Sequence, residues 1–254
     1  MVLDRSSRTV QAVQIALDII EAMKDHDGVG VTELANELDY SKGTIHSHLS
    51  TLLENGYLVK DDDRYYLSLR YLDIANVAKD RLGIYPAVTD ELDELADESG
   101  ELAQFAVEEH GKAVYLYKTG SERAVQTASS PGKREYMHCI ALGKAMLAVM
   151  GTDRVDDIVD RYGLPAFTEE TITDRESLHE ELATIRKQGY AFDHEERIEG
   201  LRCVAAPVKN NGEVLGAVSV SGPSRRMDGE FYRETVPNMV TRSANVIEIN
   251  VRFA

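Results

Sequence analysis

Ser219 and Ser221 stand two residues apart in an apolar run, residues 214–221. In an extended strand such residues share a face, so both hydroxyls emerge together while Val218 and Val220 point the other way. Leu201 and Cys203 pair by the same rule, with Arg202 opposite. A face made of Leu201, Cys203, Ser219 and Ser221 is mildly polar with apolar walls, which suits a small ligand. Asp193, closing another strand-like run, offers an acceptor to ligand hydroxyls. The turn entering a helix over residues 141–150 presents the free amides of Ala141 and Leu142, and a helix N-terminus favours a carboxylate. Two serines beside that N-terminus point to a small anionic metabolite.

The same residues admit harder chemistry. His138-Cys139, Cys203 and Asp193 contain the parts of a cysteine hydrolase. Adjacent residues rarely meet as nucleophile and base, however, and Leu201 beside Cys203 makes an apolar setting. A buried structural or ligand-contact cysteine is the expected role, with no catalytic residue and no enzyme activity. Zinc on His138, Cys139, Asp193 or Cys203 lacks any close C-x-x-C or H-x-x-x-H spacing, so neither a metal site nor a cofactor is assigned. His194, Glu195 and Glu196 read as a solvated polar run.

A second group of residues lies on an N-terminal helix. Val31, Leu34, Ala35 and Leu38 recur at helical spacing, and Asp39-Tyr40-Ser41 breaks the pattern with turn chemistry. Ser41 is a good N-cap for a further helix, in which Ile45, Leu49, Leu52 and Leu53 face a core. Lys42, Thr44, His46, Ser47 and His48 are left mostly free, and Gly56 stops the helix. Residues 57–60 and 64–69 form a hairpin around Asp61-Asp62-Asp63. A preceding helix carries Val10, Val13, Ala16, Leu17, Ile20 and Met23 as its stripe. Helix, helix, turn, helix, hairpin is a winged helix-turn-helix, whose third helix fits a DNA major groove. Arg8, Ser41, Lys42, Thr44, His46, Ser47 and His48, with Arg64 near the wing, are the expected contacts to double-stranded DNA. The competing expectation is a ligand-binding module whose winged helix mediates protein contacts.

Three segments position these groups. Residues 1–69 are the winged helix; 70–83 are a linker helix with Tyr71, Leu72, Ile74, Ala75, Ala78 and Leu82 as its stripe; 84–254 are the ligand domain. In the last, a helix with Ile84, Val88, Leu92, Leu95 and Ala96 ends at Gly100. Strands follow over 102–109, 113–118 and 123–128, then helices over 141–150, 153–162 and about 173–188. Strands over 190–194, 203–209 and 214–221, the last two joined at Asn210-Asn211-Gly212, lead to a terminal helix over 228–250. The class is α+β, an antiparallel sheet flanked by helices.

The 254 residues carry 28 Lys and Arg against 44 Asp and Glu, a net charge of −16. That balance opposes DNA at ordinary ionic strength. In molar salt the Debye length falls to about 3 Å and the long-range repulsion is screened. The acidic composition therefore reads as adaptation to a salt-rich cytoplasm, as in halophilic archaea. No apolar run reaches membrane-spanning length, residues 1–8 lack a signal core, and two cysteines make no disulfide scaffold, so a cytoplasmic protein without membrane contact is expected.

Four stretches in order resemble the IclR family of bacterial and archaeal transcriptional regulators. They are Val31-Thr32-Glu33-Leu34-Ala35 with Gly43-Thr44-Ile45-His46; Ala141-Leu142-Gly143-Lys144-Ala145; Gly189-Tyr190-Ala191-Phe192-Asp193; and Gly200-Leu201-Arg202-Cys203-Val204-Ala205-Ala206-Pro207-Val208. Ser219-Val220-Ser221-Gly222-Pro223 completes the match. The resemblance implies an N-terminal winged helix, a linker helix and a GAF-like effector domain, assembled as homodimers or homotetramers. It also implies a pocket at the positions above for a small organic or sugar acid, and control of a catabolic pathway. The family often carries Arg directly after the position of His46, where this chain has Ser47, implying a different operator. It generally carries Gly or other small residues where Ala141 and Leu142 stand, and the larger Leu142 implies a narrower pocket.

Overall fold

A computed structural model describes residues 9–121, 123–125 and 129–253. Arg8 and residues 126–128 lie outside them. The chain forms two compact units, residues 1–81 and 82–254.

In the first unit, α1 (Gln11–Ala22), α2 (Val31–Glu37) and α3 (Lys42–Glu54) precede a hairpin of β1 (Leu58–Asp61) and β2 (Arg64–Leu67). Ser41 caps α3 as expected, its Oγ accepting from the Thr44 amide at 3.1 Å. Asp39 takes the left-handed turn conformation (φ 55°) between α2 and α3. Ile15, Ile19, Met23, Leu34, Ala35, Ile45, Leu49, Leu58 and Tyr65 make the core. The expected α1 stripe is thus corrected. A 3.6-residue period admits two stripes here: of the expected one Met23 is buried and Ala16 and Ile20 are half-buried, but Val10, Val13 and Leu17 stay exposed and Ile15 and Ile19 take their place in the core. The hairpin register sets Asp61 opposite Arg64, with Asp62 at the tip (φ 50°). Tyr65 also bridges Val29, which anchors the wing to the helices. Next, α4 (Arg70–Asp80) closes the first unit, with no buried residue. Its apolar Leu72, Ile74 and Val77 are exposed.

The second unit opens with α5 (Tyr85–Ser99), ended by Gly100 in the left-handed conformation. Then come β3 (Leu102–Glu109), β4 (Lys112–Gly120), β5 (Arg134–Glu135), α6 (Ala141–Val149), α7 (Thr152–Tyr162) and α8 (Arg175–Gln188). The chain finishes with β6 (Ala191–His194), β7 (Leu201–Asn210), β8 (Glu213–Pro223), a π-helical turn (Phe231–Thr235) and α9 (Val236–Phe253). The strands form one antiparallel sheet in the order β5-β4-β3-β8-β7-β6. Two expectations are corrected. Residues 123–125 are turn and irregular chain, not strand, and the strand beside β4 is the short β5. The terminal helix begins with the π-helical turn.

Strand alternation sorts the side chains into two cores. Ala103, Phe105, Val204, Ala206, Val218 and Val220 join α5 and α9 on one face. Ala106, Cys203, Ala205 and Ala217 join α6, α7 and α8 on the other. The α+β class expected from the periodicities is the class observed.

Candidate functional site

The register of three strands builds the floor of a cavity. Asp193 on β6 lies opposite Cys203 on β7, and Cys203 opposite Ser221 on β8. Ser219 lies opposite Ala205 on one side and Gln104 of β3 on the other. These groups, with Leu201, line a cavity of about 220 Å³ that also touches Ile140, Ala141 and Leu142 at the start of α6. All seven expected pocket residues (Ala141, Leu142, Asp193, Leu201, Cys203, Ser219 and Ser221) are therefore brought together.

The polar groups of the floor are unequally satisfied. Ser221 Oγ donates to Gln104 Oε1 at 3.1 Å, and Gln104 Nε2 donates to Ser129 Oγ at 2.8 Å. Ser219 is buried and its Oγ has no protein partner. In α6 the first helical bond to the cap runs from the Lys144 amide to Ile140 O at 3.0 Å. The three preceding amides have no carbonyl inside the helix to meet, so they favour an anion at that end. The unpaired Ser219 hydroxyl and the start of α6 thus line one cavity.

Burial controls the acid–base state of the floor. The Asp193 carboxyl is pushed up to about 7, first by desolvation and then by the charge of Glu196, with Lys144 opposing. Near neutrality it both donates and accepts hydrogen bonds. Burial also raises both thiols, Cys139 to about 12 and Cys203 well above the ordinary range. Neither is a thiolate, so nucleophilic chemistry lacks its reagent. His138 Nε2 meets Pro165 O at 3.1 Å, away from the role of a base. Among the described residues no three His, Cys, Asp or Glu side chains cluster as a metal cage.

Several lining residues carry no motif in the sequence. Tyr115, Gln104, Lys133, Glu135 and Arg197 complete the wall. Arg197 Nε donates to Glu135 Oε2 at 3.0 Å, and Lys133 Nζ lies 3.9 Å from Glu135 Oε1. Behind the floor, Lys144 is fully buried; its Nζ donates to Glu196 at 2.5 Å and Glu181 at 3.2 Å. The Glu196 amide donates to Asp193 Oδ1 at 2.8 Å. The polar run expected to be solvated is in part buried: Glu196 is 4% exposed because Lys144 neutralises it.

The second set of expected contacts lies on α3 and the wing. Lys42, His46 and Ser47 are exposed. Ser41 and Thr44 hydrogen-bond each other at 2.8 Å, Ser47 donates to Gly43 O at 3.0 Å, and His48 Nδ1 meets Thr44 O at 2.8 Å. Arg64 is tied to Gly28 O at 2.7 Å and to Glu33 at 3.2 Å, so it braces the wing against α2.

Residues 12–62 match the IclR helix-turn-helix domain, and residues 77–249 match the C-terminal domain of bacterial IclR transcriptional regulators. The chain belongs to the IclR family. It is 33% identical over 252 residues, 97% of this chain and 96% of the relative, to a protein named "Probable HTH-type transcriptional regulator ArcR" from Halobacterium salinarum. It is 29% identical over 247 residues, 96% of this chain and 94% of the relative, to the regulator KdgR of Escherichia coli. The crystal structure of Thermotoga maritima IclR superposes with a TM-score of 0.77 at 27% identity, covering 95% of this chain and 97% of that one. An IclR homolog from Microbacterium hydrocarbonoxydans, crystallised with 4-hydroxybenzoate, superposes with a TM-score of 0.83 at 21% identity, covering 96% of this chain and all of the other. As an IclR regulator the chain is a transcription factor and not an enzyme, with a DNA-binding winged helix and a C-terminal effector-binding domain. No helix among the described residues is long and apolar enough to cross a membrane.

Proposed function

We propose that this IclR regulator senses a small carboxylate metabolite in the β7–β8 cavity and controls a catabolic pathway through the resulting change in operator affinity. The carrying observation is the unpaired Ser219 hydroxyl, buried beside the free amides of α6. Those donors suit a carboxylate, and Asp193 suits a hydroxyl or carbonyl oxygen elsewhere on the ligand. The 4-hydroxybenzoate held by a homolog is itself a carboxylate. Occupation changes operator affinity only as far as the ligand binds one arrangement of the chain better than another.

Operator contact falls to α3. Lys42 supplies the charge and His46 the directional hydrogen bond, with Ser41, Thr44, Ser47 and His48 as shorter-range partners. Exposed Val10 at the cap of α1, Val13 and Leu17 on α1, and Leu72, Ile74 and Val77 on α4 support assembly as a homodimer or homotetramer, since apolar surface of this extent is normally covered. A dimer sets two α3 helices into a palindromic operator about one turn, or a multiple, apart.

Lys42→Ala is expected to weaken binding to every DNA sequence, whereas His46→Ala weakens operator binding by about 1–3 kcal/mol and relaxes specificity at its base. Electrophoretic mobility shifts on promoter fragments from the neighbouring genes, with circular dichroism to verify folding, read both effects. Unaltered binding by both variants removes α3 from the DNA interface.

A further inference from the structure

We infer that α3 selects DNA bases carrying an exocyclic amine, adenine and cytosine, because the hydroxyls on its exposed face have already given their protons to the helix. This rests on the placing of α3 in the major groove and names what the helix reads there.

Ser50, Thr51 and Glu54 stand three, four and seven residues after Ser47, spacings that gather all four on one helix face. All four are exposed, and the opposite face carries the buried Ile45 and Leu49. Each hydroxyl turns back onto its own helix. Ser47 Oγ lies 3.0 Å from Gly43 O, Ser50 Oγ 2.8 Å from His46 O, and Thr51 Oγ1 3.0 Å from Ser47 O. A carbonyl oxygen has no proton, so the hydroxyl is the donor in all three bonds. A hydroxyl carries one proton and two lone pairs. With the proton spent on the carbonyl four residues back, lone pairs alone face outward. The Glu54 carboxylate adds acceptors and no donor. The exposed centre of α3 is therefore a strip of acceptors, with the donors Lys42 and His46 along one edge.

Such a strip has few partners on DNA. Phosphate oxygens only accept, as do guanine N7 and O6 and thymine O4. The donors that the major groove presents are the amines at adenine N6 and cytosine N4. Each stands at the same step across the groove from its own strand, where guanine and thymine place a carbonyl. Facing Ser47 or Ser50, adenine and cytosine are thus interchangeable, whereas a change of adenine to guanine or cytosine to thymine sets oxygen against oxygen. The reading also fits a helix with a single Lys and no Arg. Its hydroxyls address base edges and leave the phosphates to Lys42.

Selection from a randomised duplex pool by the full chain, in molar potassium chloride, supplies the sequence, and variants are then compared with it position by position. The native half-site is expected to contain positions where adenine or cytosine is favoured over guanine or thymine by about ten-fold. Ser47→Ala abolishes that preference at one position, Ser47→Thr preserves it, and Ser47→Arg turns it towards guanine. Replacing the adenine there by purine, or the cytosine by 2-pyrimidinone, removes the amine alone. The native chain loses about ten-fold in affinity on that replacement, and Ser47→Ala loses nothing. A native preference for guanine or thymine at that position, or indifference to removal of the amine, overturns the acceptor strip and leaves α3 on the DNA. A profile that neither Ser47→Ala nor Ser50→Ala alters does the same. A profile that Lys42→Ala and His46→Ala also leave unaltered, or no enriched sequence at all, overturns the placing of α3 as well.

Discussion

Asp193 shows what a single buried carboxyl does to the whole chain. Its folded value near 7 exceeds the ordinary 3.8, with desolvation as the main cause and Glu196 as the second. Between those values the folded chain keeps a proton that the unfolded chain has released. The stabilising contribution is complete below the ordinary value and is lost as pH rises through about 7. Glu196, raised mainly by burial, acts in the same direction. Lys144 and Glu181 face this pair, and Lys144, raised by Glu196 and Glu181 against its own desolvation, stays charged throughout. Chemical denaturation between about pH 4 and pH 7 is expected to show a shallower decline for Asp193→Asn than for the native chain. Parallel declines refute the assignment. The ion pair at Lys144 needs both ends: losing the lysine strands Glu196, whose Oε2 already lacks a partner.

Among the elements, α6 is the most constrained, because Gly143 lets it approach the segment before it. A Cβ at Gly143 would lie 2.2 Å from Met137 O and 2.4 Å from Met137 Cα. Alanine improves helix propensity by about 1 kcal/mol, but a clash with backbone cannot be relieved by a rotamer change. Gly143→Ala is therefore expected to lower the stability of the second unit by about 1–3 kcal/mol and to shift the free amides that face the cavity. Urea unfolding followed in that unit tests this; a neutral or stabilising change shows that α6 is free to move. Elements of this kind differ in how far the sequence discloses them. The floor was legible because a period of two fixes which of residues 201–204 and 218–221 share a face, whatever lies around them. The N-cap at Ser41 and the stop at Gly100 were legible because capping is local chemistry. Gln104, Tyr115, Lys133, Glu135, Lys144 and Arg197 were not. They reach the site through pairings of distant segments, Ser221 with Gln104 or Arg197 with Glu135, that no local pattern encodes. In α1 the period itself was ambiguous, and tertiary packing chose between two apolar stripes.

For the molecule as a whole, charge is the dominant property. Residues 1–69 alone hold six Lys and Arg against twelve Asp and Glu, and the wing tip is Asp61-Asp62-Asp63. Such a domain gains little from displacing counterions, because few cations reach phosphates. Operator binding measured against potassium chloride is expected to persist into the molar range, where the Debye length is about 3 Å. The 33% identity to a Halobacterium salinarum regulator accords with that setting. Binding that is tight at low salt and vanishes on approach to molar salt shows instead a basic footprint hidden in the assembly.

The central strands also divide the effector domain in a way that bears on signalling. Cys203, Ser219 and Ser221 face the cavity, while Val204, Val218 and Val220, their immediate chain neighbours, are packed beneath α5 and α9. The sheet works as a diaphragm one side chain thick on either surface. Any shift of these strands on the cavity side carries the valine layer with it, because each strand bears both sets of side chains. Substitution of Val204, Val218 or Val220 is therefore expected to alter the cavity floor without contacting anything bound in it.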